Sequence, residues 1–171
     1  PKAAIKISGM VANKVRVYSR TRNHAALGIV HAYMAMNPDA TLEDLRCAFP
    51  DDLCHDSGVL ELFITARQTA SCDASQYFAK PEEMLSTDDG QAVAMCQTWS
   101  KTSFDRLVSV AANYGIEVAK IDETRAAGEV GFSLKYLNGY VPPVKQKKKR
   151  SKWWMYLLVI ALIIAFIAIV F

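Results

Sequence analysis

Apolar and polar positions divide this chain into a patterned body and a uniform tail. Val15-Arg16-Val17-Tyr18 alternates and predicts a short strand. From about His24 to Met36, Leu27, Val30, His31 and Met34 fall on one helical stripe, with Asn23 as its expected cap and Asn37-Pro38-Asp39 as its end. Thr41 opens a second helix with Asp44 three residues on, a capping-box spacing that places Leu42, Leu45 and Phe49 inward. Pro50 terminates it, and residues 51–57 read as a polar loop. Residues 59–64 are rich in strand formers, residues 68–75 read as a loop, and Pro81 to Leu85 as one helical turn. Asp88-Asp89-Gly90 predicts a hairpin turn with positive φ at both central residues, followed by a strand over 91–96. A third helix is expected from Phe104 to Tyr114, capped by Ser103 and stopped by Gly115, with Leu107, Val108 and Ala111 inward. Residues 116–121 alternate as a strand. Residues 122–144, with three glycines and Pro142-Pro143, read as a linker holding at most one short helix or strand.

The tail breaks this pattern. Trp153 to Phe171 holds no charge, glycine or proline. As a helix rising 1.5 Å per residue it spans roughly 28 Å, against about 30 Å for the hydrocarbon core of a bilayer. Trp153, Trp154 and Tyr156 cluster at its start, where aromatic rings favour the headgroup layer. Before them stand Lys145, Lys147, Lys148, Lys149, Arg150 and Lys152, six cations in eight residues. A C-terminal single-pass anchor is expected, with the basic collar on the cytoplasmic side and in contact with anionic headgroups. Residues 1–6 contain no apolar run of signal-peptide length, so the body is expected in the cytosol. The expected layout is a domain over 1–121, a linker over 122–144, the collar over 145–152 and a transmembrane helix over 153–171.

Charge sharpens the division. The formal net charge is +3, but the collar carries six of the twenty cations. Residues 1–144 hold fourteen cations against seventeen acids, a net −3. Residues 39–144 hold eight against seventeen, a net −9, which disfavours broad attraction to nucleic acid. Arg16, Arg20 and Arg22, in the basic N-terminal strip, are the residues expected to meet phosphate if nucleic acid binds.

Candidate chemistry is sparse. Cys47 and Cys54 are seven apart and Cys72 and Cys96 are isolated, unlike zinc ligands paired two to four residues apart. Reduced thiols are expected instead. Cys54 beside His55 lacks an oxyanion motif, and His24 and His31, seven apart, read as surface or boundary positions. No glycine-rich phosphate loop occurs. No catalytic residue, metal or cofactor is expected.

The order Tyr77-Phe78, Asp89-Gly90, a strand, Gln97-x-Trp99 and an apolar helix ending in Tyr114-Gly115-Ile116 follows the pair Asn-Pro-x-x-Thr-Leu-x-x-Leu-x-x-x-Phe-Pro from Asn37 to Pro50. This order, over about residues 24–121, resembles a small α+β module of bacterial proteins of the restriction and phage-defence type. The resemblance implies an accessory or recognition role, with catalysis elsewhere. The expected fold is α+β, a helical hairpin or winged-helix-like pair on a small, mainly antiparallel sheet, with one C-terminal transmembrane helix. The expected function is a non-enzymatic, tail-anchored interaction or sensor module with a protein partner. The alternatives are a membrane-tethered helix-turn-helix binder of nucleic acid, and an effector that perturbs the bilayer through tail association. For the latter, Ala161, Ala165 and Ala168 offer only a weak small-residue face.

Overall fold

The computed structural model describes residues 12–121, 128 and 130–145. The expected transmembrane helix, and the collar beyond Lys145, lie outside them. No helix among the described residues is long and apolar enough to cross a membrane.

Strand β1, Val15–Ser19, buries alternate residues, as its pattern requires. Helix α1 follows over Arg22–Met36. Its cap is Thr21, whose hydroxyl accepts the His24 N–H, and Asn23 lies inside the first turn. Helix α2, Leu42–Ala48, has the complete capping box of Thr41 and Asp44, the two orphan N–H groups each satisfied by the other residue's side chain. Leu42, Leu45 and Phe49 are buried as expected.

The 51–57 segment is a 3-10 helix rather than a polar loop, and it buries Leu53 and Cys54. Its acids are consistent with a surface loop, but the segment packs against the later helix over residues 101–112. Strand β2 is only Phe63–Thr65, and Gly58 turns the chain before it in the left-handed region. Two further 3-10 turns occupy 68–70 and 74–76. Pro81 starts a turn, not a helix, and the chain enters strand β3 at Leu85–Ser86. At the Asp88-Asp89-Gly90 turn only Gly90 has positive φ, 79°. Asp89 keeps negative φ, and its carboxylate accepts from the Thr87 hydroxyl and the Gln91 side-chain amide. Strand β4 runs over Ala92–Met95.

Helix α3, Lys101–Ala112, is capped by Ser100, not Ser103; the Ser100 hydroxyl accepts from the Ser103 N–H. The helix ends at Ala112 with Asn113 as its C-cap, two residues short of the expected end; Gly115 then turns the chain in the left-handed region, and strand β5, Ile116–Val118, follows. The short strand allowed for within 122–144 is β6, Phe132–Tyr136.

These strands form two three-stranded sheets, in the orders β5-β1-β6 and β2-β4-β3. The second is antiparallel throughout. The first is mixed, with β5 parallel and β6 antiparallel to β1. Helix α1 packs on this mixed sheet and against α3. One core joins both sheets and all three helices; Phe49, Phe63, Phe78 and Leu107 are among its largest fully buried side chains. Trp99, 6% exposed, donates its indole N–H to the Cys96 carbonyl where β4 hands over to α3.

Candidate functional site

The α1–α2 connection makes the wall of a groove. Asn37 ends α1 by donating its backbone N–H to Tyr33 and Met34 carbonyls and its side-chain amide to the Tyr33 carbonyl. Pro38 removes a donor and prevents the helix from continuing. The Ala40 N–H returns to Asn37 at 3.0 Å, and the capping box then launches α2. From the other sheet, the β3–β4 turn is tied in by the Asp88 N–H, which donates to the Ala40 carbonyl at 2.9 Å. Two turns some fifty residues apart in sequence thus meet at one place.

The third wall is the chain that leaves β6. It bends at Asn138 and Gly139, both with positive φ, and the Tyr140 ring anchors it beneath the Lys14 ammonium. Pro143 and Val144 then face the α1–α2 turn across a groove of about 560 Å³. Tyr33 and Met36 contribute to its lining, and Tyr33 packs edge-on against Phe49 and Tyr114.

The rim is acidic. Residues 37–45 and 86–92 together contain Asp39, Glu43, Asp44, Asp88 and Asp89 and no Lys or Arg. The Thr41 hydroxyl and backbone hold the Asp44 carboxyl below its usual range, and Thr87 does the same, with help from Gln91, for Asp89. Both therefore remain charged at neutral pH. Burial pushes the Tyr33 phenol up, and the Tyr114 hydroxyl and the Asp44 carboxylate add to it. Lys145, first residue of the collar, places its ammonium 3.1 Å from the Asp88 carboxylate.

The three arginines expected to meet phosphate differ in their surroundings. Arg16 bonds Tyr18 and is paired with Glu117 on the neighbouring strand, and these contacts, Tyr18 first, raise its pKa. Arg22 donates to the Trp99 carbonyl at 3.2 Å, and Arg20 is exposed. On α2, Glu43 and Asp44 are exposed and Arg46 is paired with Glu61 at 2.8 Å, so that helix offers phosphate little. Of the interface residues, Lys145 is described as above. Lys147, Lys148, Lys149, Arg150, Lys152, Trp153, Trp154 and Tyr156 lie outside the described residues.

All four cysteines are free, and no group of three or more metal-binding side chains forms among the described residues. Cys54 is buried while His55 is exposed, so the adjacent pair is directed to different environments. The Cys54 and Cys96 thiols meet in the core; their mutual hydrogen bond, then burial, push Cys54 up. His31 is a boundary position, half-buried on α1. Its ring stacks obliquely on Phe132 at 4.9 Å, its Nε2 is buried without a partner, and burial lowers its pKa to about 4.

In the sequence, Asp39, Asp44 and Asp88 read as turn and cap residues. The available signal was the −9 balance of residues 39–144. No family model, curated protein or solved structure matches the chain.

Proposed function

We propose that this chain is a non-enzymatic, membrane-anchored interaction module, with residues 153–171 in the bilayer and the α+β domain in the cytoplasm. The observation that carries the reading is the tail itself, nineteen residues without charge behind six cations in eight. Two of the three arginines that could meet phosphate, Arg16 and Arg22, are engaged within the domain. An acidic groove beside the point where the chain leaves toward the tail suits a cationic protein segment better than nucleic acid. A service in phage defence rests on the order of motifs between Asn37 and Ile116 alone.

The test is fractionation. The full chain should stay with membranes through high salt and alkaline carbonate. A chain ending at Lys152 should be released by salt, because the collar acts only through screened charge. A chain ending at Val144 should be soluble. If the chain ending at Val144 pellets in high salt, the domain carries a membrane contact of its own and the anchor reading fails as stated.

A further inference from the structure

The groove and the collar carry opposite charge and adjoin in the chain. Lys145 is already seated on Asp88, and its neighbours Pro143 and Val144 line the groove. Asp39 and Asp44 line the groove, Asp88 stands beside it, and residues 37–45 and 86–92 contain no Lys or Arg. Residues 146–152 carry five further cations. Their seven residues reach at most about 25 Å when extended, enough to run along the groove from its edge. Two prolines at 142–143, each with φ fixed near −65°, stiffen the approach.

We propose that the acidic groove is the docking site for this chain's own collar, residues 146–152, and that anionic lipid headgroups compete with the groove for it. On a neutral bilayer the collar lies along Asp39, Asp44 and Asp88. On an anionic bilayer the lysines transfer to headgroups and leave the groove. The same lysines cannot serve both surfaces, so occupancy of the groove reports the charge of the membrane beneath it. The competition rests on the anchored reading proposed above; the docking does not.

The experiment uses the full chain in nanodiscs, with zero-length carbodiimide coupling of lysines to carboxylates and peptide mass spectrometry. In phosphatidylcholine, Lys147, Lys148 and Lys149 should couple to Asp39, Asp44 and Asp88 in preference to exposed acids elsewhere, such as Glu82 and Asp105. With phosphatidylserine in the disc, the groove couplings should fall while Lys101 to Asp105 coupling stays constant. Asp39→Asn with Asp88→Asn leaves Asp44 as an acceptor, and its coupling to the collar should drop roughly tenfold. Collar lysines spread evenly over exposed acids, or absent from the groove in both lipids, would overturn the docking. Groove couplings unchanged by phosphatidylserine would overturn the competition. The lipid series needs no variant, so it stands even if the double variant is misfolded. Failure of the chain to enter nanodiscs would refute the anchor instead, and the coupling is then read on the chain in solution.

Discussion

Helices α1 and α3 lie side by side and are built on different principles. Helix α3 has two faces. Phe104, Leu107 and Ala111 are buried, while Lys101, Thr102, Asp105, Arg106 and Ser109 face water, with Lys101 paired to Asp105 at 2.6 Å. Helix α1 buries every residue from Ala25 to Ile29, then Val30 and Ala32. Consecutive buried positions point in all directions around a helix axis, so this helix is enclosed. Val17 and Phe132 close one side, Phe78 approaches through His24 at 5.6 Å, and Tyr33 carries Phe49 and Tyr114. Enclosure is made possible by small residues; Ala25, Ala26, Gly28 and Ala32 allow neighbours to approach the backbone. The lesson is that a helix can be central to a core while presenting almost no amphipathic contrast.

The contrast can be broken by substitution. Phe104→Ala removes a ring that is 8% exposed and should cost roughly 3–5 kcal/mol. Ser109→Lys, on the outer face of the same helix, should change stability by no more than about 0.5 kcal/mol. Denaturant midpoints followed by circular dichroism read both, and similar costs at the two positions would deny α3 its two faces. In α1 the smallest side chain should matter. A Cβ at Gly28 would stand 2.6 Å from a Val17 methyl carbon and 3.1 Å from the Phe132 ring, so Gly28→Ala should destabilise by about 1–3 kcal/mol despite better helix propensity. A stabilised Gly28→Ala protein would mean that β1 and α1 do not approach as closely as described.

A further effect is pH-dependent. His31 titrates near 4 in the folded domain because burial disfavours its charge, and near 6.5 when unfolded. Below 6.5 the unfolded chain binds the proton and the folded chain does not. Stability is therefore fully present above 6.5 and declines as pH falls toward 4, by about 3 kcal/mol. The check is the difference in melting profile between the native chain and His31→Leu across that interval. Identical pH slopes for the two proteins would place His31 in water.

Local signals in the sequence carried the helices well. The Thr41–Asp44 spacing, the Asn37-Pro38 stop and the Gly115 turn all act within a few residues, and the structure has each of them. Cap positions slipped where several hydroxyl or amide residues compete: Thr21 against Asn23, and Ser100 against Ser103. The enclosure of α1 was only partly visible, because alanine and glycine add little to an apolar stripe. The 3-10 helix over 51–57 was hidden by its acids, since Leu53 and Cys54 are buried by α3, an element fifty residues away. The sheet order was not legible at all. Nothing near β1 says that its partners are β5 in parallel and β6 in antiparallel register. The groove is the same kind of case, since its rim exists only because the Asp88 N–H reaches the Ala40 carbonyl.

The central place of β1 in its sheet has a consequence in time. Ser19 pairs with Phe132, and Val15 pairs with both Ile116 and Tyr136. At synthesis rates of about 5–20 residues per second, the first strand waits roughly 5–20 s for its last partner. The antiparallel sheet can be finished as soon as Met95 is made. During the interval the nascent chain has one sheet complete and the other reduced to a single strand with two open edges, a state that invites pairing with other chains. The basic residues of that strand and its approach, Lys14, Arg16 and Arg20, then act as a guard, because like charges discourage two such edges from meeting.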